Sequence, residues 1–178
     1  MPGRLDIVTP YSRYPLRLLV RDLSETSQLS FAEQGILLLA GAPGVQTQSS
    51  ARGLILNAVA ERDLSAAVAM LQAAIPSVVV GAVEVVCLDQ GAMEPWVRVR
   101  VTTPPDRCAE VIAQLEERRG SIESREDAGD RGTILTATAP VAAMLGYDDV
   151  LSVTTGGRAI ADYEFADYRP GRARTRQD

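Results

Sequence analysis

The stretch APVAAMLGYDDVLSVTTGGR, residues 139–158, contains one helical turn, a second short helix and a Gly-Gly turn. Apolar residues at positions i, i+3 and i+4 give the first turn one buried face: Val141, Met144 and Leu145. Gly146 can end this turn because glycine adopts the left-handed conformation without a Cβ clash. Strands are expected before and after it, over residues 132–139 and 158–168. We therefore interpret the stretch as the second half of a β-α-β-β-α-β unit.

The same unit occurs twice in the chain. Residues 52–60 read RGLILNAVA and residues 131–139 read RGTILTATA, so the same residue types recur at a constant offset of 79 positions. This duplication predicts an α+β fold of two tandem ferredoxin-like (βαββαβ) domains, each with a four-stranded antiparallel sheet and two helices on one face. We expect the domains at residues 13–89 and 93–169, followed by a basic, disordered tail over residues 170–178.

Three details of this prediction concern the ends of elements. Asp63 is the expected N-cap of the second helix, because its side chain can accept hydrogen bonds from the free N–H groups of the first turn. Residues 78–88 are rich in β-branched side chains and predict one long strand. Gly120 is expected to end the helix that starts at Pro104-Pro105.

The composition excludes several catalytic classes. The 178 residues contain no histidine and no lysine. A Walker A loop requires its lysine, and Ser-His-Asp or Cys-His nucleophile sites require histidine. The carboxylates that stand out occur in turns without a partner base: Asp127, Asp130, Asp148 and Asp149. We therefore expect a protein that is not an enzyme and that binds no cofactor, metal or nucleotide.

The charge and hydropathy of the chain restrict its partners. The formal net charge of −5 argues mildly against broad, nonspecific RNA binding and leaves room for a local basic contact. The sequence lacks the run of roughly 18 apolar residues that a membrane helix needs, and its N-terminus lacks the pattern of a signal peptide. Cys87 and Cys108 are expected to be free thiols. We expect a cytoplasmic protein without a membrane partner.

Residues 94–169 carry a series of short motifs in a characteristic order. The motifs are Glu94-Pro95, Arg118-Arg119-Gly120, Ala139-Pro140, Met144-Leu145-Gly146-Tyr147, Leu151, Thr155, Gly157-Arg158, Glu164-Phe165 and Tyr168. On these motifs the segment resembles the C-terminal domain, domain V, of elongation factor G and related translational GTPases. That family usually has Leu-Arg-Ser where this chain has Leu151-Ser152-Val153, so an arginine able to contact phosphate is missing at Ser152.

The first copy of the unit resembles the same factors more weakly. Residues 53–64, GLILNAVAERDL, are similar to the strand-to-helix segment of domain III in that family, without its usual histidine. The resemblance implies a non-catalytic, elongation factor-like protein that binds the ribosome, through rRNA or a ribosomal protein, at the factor-binding site. The alternative is a regulatory or scaffolding module whose partner is another protein or a small ligand.

Three groups of residues are candidates for contact with the ribosome, RNA or another partner. The first is a basic helix end, Arg118 and Arg119. The second is a Gly-rich turn whose backbone N–H groups can hold a phosphate: Thr155, Gly156, Gly157 and Arg158. The third is a basic tail that can attract RNA electrostatically: Arg172, Arg174 and Arg176. Each group also has an ordinary interpretation, respectively a solvated helix end, a helix-to-strand connection and a solubilising tail.

Overall fold

The computed structural model describes residues 13–129 and 132–171, which form two antiparallel sheets and their helices. The N-terminal domain consists of β1 (Leu16–Asp22), α1 (Gln28–Leu38), β2 (Val45–Ser50), β3 (Gly53–Ala58), α2 (Glu61–Ala74), β4 (Val78–Val80) and β5 (Glu84–Val85). The C-terminal domain consists of β6 (Met93–Thr103), α3 (Cys108–Glu117), β7 (Ser121–Asp127), β8 (Thr133–Pro140), α4 (Val141–Met144), α5 (Tyr147–Thr155) and β9 (Ile160–Pro170).

The two sheets have the same strand order. The order is β2-β3-β1-β4 in the first sheet, where β5 also pairs with β1, and β7-β8-β6-β9 in the second. In each sheet the first strand of the unit lies beside the third, as in Leu18 opposite Leu56 and Val99 opposite Ala137. The prediction of an α+β fold with two tandem ferredoxin-like domains is confirmed. The exact bounds of 13–89 and 93–169 stay a prediction.

Strand alternation determines which residues form the core. Every second residue of the first strand of each domain faces the helices and is buried: Leu16, Leu18 and Val20 in β1, and Val97, Val99 and Val101 in β6. The helices cover these rows with apolar side chains that are also buried: Phe31, Leu64, Leu71, Val111, Leu115 and Leu151. Small aliphatic side chains therefore provide most of the packing, as the aromatic content of 4% requires.

Gly53 opens β3, and Gly132, at the equivalent position of the sequence repeat, immediately precedes β8. Their φ angles are +134° and +91°, which side chains with a Cβ rarely adopt. A Cβ on Gly53 would clash with the carbonyl oxygen of Val20, and a Cβ on Gly132 would lie 2.5 Å from the carbonyl oxygen of Thr103. Each glycine therefore permits the close approach of the third strand to the first. The repeat in the sequence is a repeat in the structure.

The start of α2 differs from the prediction. The helix begins at Glu61, and its N-cap is Ala60, whose side chain makes no capping hydrogen bond. Asp63 therefore lies inside the first turn and is not the N-cap. Glu61 and Asp63 together place two carboxylates in that turn.

The single long strand predicted for residues 78–88 is wrong, because the structure has two short strands there. Val20 lies opposite Val80 in β4, whereas Leu16 lies opposite Val85 in β5. The last segment of the domain therefore has one residue more than β1 over the same span, which interrupts the ladder in the manner of a β-bulge. β-branched composition predicts extended backbone and carries no information on such an insertion.

The end of α3 also differs in detail. The left-handed residue is Arg119, with φ of +65°, and not Gly120. The N–H group of Gly120 donates to the carbonyl oxygen of Leu115 at 2.7 Å, and a Cβ at Gly120 would lie 2.6 Å from the same oxygen. Glycine is therefore needed at this position for a close backbone approach.

The turn between the two domains is strained. Asp89, Gln90 and Gly91 follow one another with φ angles of +49°, +56° and +97°. The backbones of Leu88 and Met93 close the turn with two reciprocal hydrogen bonds of 2.9 and 3.2 Å. The left-handed conformation costs a residue with a Cβ roughly 1–2 kcal/mol, so the flanking contacts hold the turn in place.

We predict that Gln90→Gly stabilises the protein. Glycine removes the clash of the Cβ in the left-handed region, and part of this gain is offset by the greater freedom of glycine in the unfolded chain. The expected increase in the free energy of unfolding is about 0.5–1 kcal/mol. Urea unfolding followed by far-UV circular dichroism measures it.

Gln34→Gly is the matched control, because Gln34 is exposed in the interior of α1. There the same substitution is expected to destabilise by about 1 kcal/mol. Equal losses of stability in the two variants would contradict the left-handed turn.

Candidate functional site

The Gly-rich turn follows α5 directly and uses its backbone donors to end that helix. Gly156 and Gly157 are both left-handed, with φ of +62° and +72°. Their N–H groups donate back to the carbonyl oxygens of Val153 at 3.4 Å and Ser152 at 2.8 Å. This pattern satisfies carbonyl groups at the helix C-terminus. The backbone N–H groups of both glycines are therefore engaged within the chain.

Thr155 fixes the turn from inside. Its side chain is 1% exposed. The hydroxyl donates to the carbonyl oxygen of Leu151 at 2.7 Å and accepts from the N–H group of Ala159 at 3.1 Å. The residue joins the last turn of α5 to the segment that leads into β9, and its side chain does not reach the surface.

Arg158 is the exposed cation of this turn. Its Nε donates to the carbonyl oxygen of Thr155 at 3.1 Å, and its Nη2 lies 3.2 Å from Oδ2 of Asp106. The Arg158 side chain is 52% exposed, so the ion pair is screened by water and contributes little to stability. Neither of these two bonds uses Nη1, which leaves that group as a donor for a phosphate or a carboxylate.

Arg118 holds the chain reversal between α4 and α5. Its Nη1 donates to the carbonyl oxygens of Ala143 at 2.6 Å and Leu145 at 3.1 Å. The guanidinium carbon lies 5.3 Å from the ring centroid of Tyr147, a cation–π distance. Tyr147 is fully buried, and burial raises the pKa of its phenol well above the ordinary range. Two hydrogen bonds and one ring contact thus engage Arg118 within the protein.

Arg119 pairs with the strand that opens the C-terminal domain. Its Nη2 lies 2.7 Å from Oε1 of Glu94, and its Nη1 lies 3.4 Å from Oε2. The Glu94 side chain is only 17% exposed, so this two-point ion pair is the most shielded of those that the structure describes. It ties the end of α3 to β6.

The structure separates the predicted contact residues into two groups. Arg118 and Arg119 follow the C-terminal end of α3, whereas Arg158 lies beside Asp106, just before the N-terminal end of α3. A helix of ten residues is about 15 Å long, which gives the scale of the separation. The tail residues Arg172, Arg174 and Arg176 lie outside the described residues.

A second cluster lies between the two domains, and no pattern in the sequence indicated it. The carboxylate of Glu61 accepts a hydrogen bond of 2.5 Å from the N–H group of Gly146. Arg62 donates to the carbonyl oxygen of Ala161 and lies 3.0 Å from Oδ1 of Asp162. These partners are 85 to 100 positions apart in the chain, so no local pattern connects them.

Tyr163 and Asp148 extend this cluster within the C-terminal domain. The Tyr163 hydroxyl donates to Oδ1 of Asp148 at 2.7 Å, and Arg62 lies 5.6 Å from the ring centroid. Burial, followed by the hydrogen bond to Asp148, raises the pKa of Tyr163 well above its ordinary range. Tyr163 is therefore a neutral donor throughout the physiological pH range.

Asp63, in the first turn of α2, is influenced by two residues of the same cluster, Arg62 and Asp148. Burial raises its pKa above the ordinary value of 3.8, Arg62 opposes this shift, and the charge of Asp148 adds to it. The folded protein therefore binds this proton more readily than the unfolded chain does. The stability cost is absent below pH 3.8 and increases as the pH rises through the raised pKa.

We predict that Asp63→Asn raises the thermal unfolding midpoint at pH 7, because it removes a carboxylate whose ionised form is disfavoured in the folded state. The difference in unfolding midpoint between the variant and the parent protein should vanish below pH 3.8, where Asp63 is protonated and, like the asparagine that replaces it, carries no charge. Glu33→Gln on the exposed surface of α1 changes the net charge equally and serves as the control. A gain at pH 7 that persists unchanged at low pH would contradict the prediction.

We predict that Arg118→Ala lowers the free energy of unfolding by about 2–3 kcal/mol. It removes two hydrogen bonds from a charged donor and a cation–π contact, and it leaves two carbonyl groups without that partner. Arg98→Ala is the matched control, since its ion pairs with Glu123 and Glu164 are exposed and their loss should cost no more than about 1 kcal/mol. Urea unfolding of both variants tests this, and equal losses would show that Arg118 does not hold the reversal.

Comparisons with known proteins assign the C-terminal half of the chain. Residues 91–178 match the family model of the elongation factor G C-terminus. Elongation factor G of Karelsulcia muelleri (strain GWSS) is 31% identical over 78 residues, which cover 44% of this chain and 11% of that protein. The matched part of this chain thus spans a small fraction of the length of that relative.

A solved structure is similar to the fold over both domains. A crystal structure of a protein from Thermus thermophilus superposes with a TM-score of 0.57 and 17% sequence identity, covering 88% of this chain and 41% of the other. At this identity the likeness concerns the fold alone. Among the described residues, no helix is long and apolar enough to cross a membrane. On these matches, residues 91–178 carry a domain similar to the C-terminal domain of elongation factor G, in a chain whose 178 residues contain no GTPase domain.

Proposed function

We propose that this protein binds the ribosome at the site that elongation factors occupy, through rRNA or a ribosomal protein, and that it does so without catalysis. The match of residues 91–178 to the elongation factor G C-terminus carries this proposal. The absence of any lysine supports the non-catalytic part, because a P-loop needs that residue to reach the phosphates of a nucleotide. The protein would then occupy a ribosomal surface and would not hydrolyse GTP.

The contact that we propose is the turn at the end of α5, with Arg158 as its main cation. Gly156 and Gly157 are exposed and have no side chains that would block access to the backbone. The buried Thr155 side chain holds the turn by its hydrogen bond to the Leu151 carbonyl oxygen. Arg158 is also bonded to Thr155 and Asp106, but its side chain is 52% exposed, against 37% for Arg119, and Arg118 is held by two carbonyl groups. A protein with a net charge of −5 is expected to make a local contact with RNA and not a broad electrostatic one.

Co-sedimentation with purified ribosomes at low and at moderate salt tests the proposal. We predict that the protein enters the ribosomal pellet, and that Arg158→Ala weakens binding about tenfold, the effect expected for losing one charge-assisted hydrogen bond. A truncation after Pro170 should reduce the salt dependence if the tail contacts RNA. Arg52→Ala is the control, because Arg52 is exposed on the N-terminal domain and far from α5 in the chain.

Two outcomes would contradict the proposal at different levels. Absence of the protein from the pellet under every condition would remove ribosome binding. Binding that Arg158→Ala and Arg52→Ala affect equally would place the contact away from the turn at the end of α5.

A second candidate function is a scaffolding or regulatory module that binds another protein. Exposed leucines of the N-terminal domain favour it, namely Leu23, Leu29, Leu37 and Leu38, with Leu37 being 76% exposed. Exposed apolar side chains of this size are common in protein interfaces. A pull-down in which Leu37→Ser releases one defined non-ribosomal protein, with ribosome binding absent, would favour this function over the first.

A further inference from the structure

Two adjacent side chains in the first turn of α2 contact the C-terminal domain. The first is Glu61, which accepts a hydrogen bond of 2.5 Å from the N–H group of Gly146, the N-cap residue of α5. The carboxylate therefore lies at the positive end of a helix that belongs to the other domain. This contact fixes the start of α5 relative to the start of α2.

The second side chain, Arg62, binds the edge strand of the C-terminal domain. It donates to the carbonyl oxygen of Ala161, pairs with Asp162 at 3.0 Å and lies over the ring of Tyr163. The Arg62 and Asp162 side chains are 43% and 70% exposed, so the ion pair alone contributes little. The carbonyl bond and the ring contact define the geometry, because both require one orientation of the guanidinium.

Apolar side chains pack beneath these two contacts. A cavity of about 20 Å³ lies between the domains, large enough for about one water molecule. Its lining includes Leu16 and Val59 from the N-terminal domain and Val97 and Met144 from the C-terminal domain. The domains therefore meet over a mainly apolar seam. At its rim, Glu61 and Asp148 line the cavity, and Arg62 lies over the ring of Tyr163, which lines it as well.

The connection between the domains is the strained turn Asp89–Gly91. Asp89 and Gln90 hold left-handed φ angles that residues with a Cβ rarely adopt. Such strain persists only where surrounding contacts impose it. Hinges are commonly a few residues at the ends of elements that take up the change in φ and ψ.

We propose that Glu61, Arg62 and the Asp89–Gly91 turn form a two-state joint between the domains. In the closed state, which the structure shows, the two side chains of α2 hold the C-terminal domain, and the backbone hydrogen bonds between Leu88 and Met93 hold the left-handed turn. In the open state these contacts are lost, the turn relaxes to ordinary φ angles, and the domains separate at the seam. This joint is independent of whether the protein binds the ribosome.

The distance between spin labels on the two domains tests the joint. Labels are placed on cysteines introduced at Gln34 in α1 and Glu117 in α3, both exposed, in a Cys87→Ser background, with Cys108 buried in the core. The parent should give one narrow distance distribution. Glu61→Ala combined with Arg62→Ala should shift the main peak to longer distances and broaden it, whereas the conservative Arg62→Lys should keep part of the narrow peak.

Gln90→Val tests the hinge without touching either domain core. A β-branched residue is poorly tolerated in the left-handed region, so this variant should shift the distribution to longer distances even with Glu61 and Arg62 intact. Arg98→Ala is the control, because Arg98 pairs with Glu123 and Glu164 within the C-terminal domain. Far-UV circular dichroism confirms that each variant is folded.

Each outcome decides part of the proposal. If the distance distribution of the double variant is narrow and unshifted, the role of Glu61 and Arg62 is overturned. If the distribution of Gln90→Val is narrow and unshifted, the hinge is overturned. An equal broadening in Arg98→Ala would mean general loosening of the protein and would overturn the joint as a whole.

Discussion

The peptide group between Leu145 and Gly146 joins the fold of one domain to the placement of the other. Its carbonyl oxygen accepts from Arg118 at 3.1 Å, and its N–H group donates to Glu61 at 2.5 Å. A cation thus meets the negative end of the peptide dipole and an anion meets its positive end, which makes both hydrogen bonds charge-assisted. Because α5 starts from this peptide, the direction of that helix and the position of the N-terminal domain are set by the same two side chains.

The arginines of the described residues are used mostly within the chain. Six of them lie within ion-pair distance of carboxylates: Arg62, Arg98, Arg107, Arg119, Arg158 and Arg169. Arg118 is engaged by carbonyl groups and an aromatic ring. Part of the positive charge is therefore neutralised locally, and acidic residues exceed basic ones by five over the whole chain. A nucleic-acid contact of this protein would depend on a few solvent-facing donors and not on a basic face.

Local patterns in the sequence predicted the elements well, and contacts between distant residues were the part they could not supply. The repeat at residues 52–60 and 131–139 predicted the duplicated fold because Gly53 and Gly132 meet the same steric requirement. The extra residue that splits β4 from β5 has no compositional signature, since it is defined only by pairing with β1. Arg118 was identified as a candidate contact from its charge, whereas its bonds to Ala143 and Leu145 depend on the packing of α3 against the reversal.

The duplication also explains why the two domains fit together at this seam. Most of the residues that line it come from the strand-to-helix connection of each copy, β3 to α2 and β8 to α4, and from the first strands β1 and β6, while Asp148 of α5 and Tyr163 of β9 complete the lining. Equivalent surfaces of a duplicated domain can meet as the two subunits of a symmetric dimer do, since each presents the same apolar end. The symmetry is broken at the rim, where the position equivalent to Glu61 in the second copy is Pro140. Only the N-terminal copy therefore carries the charged contact, so the interface closes with a defined orientation.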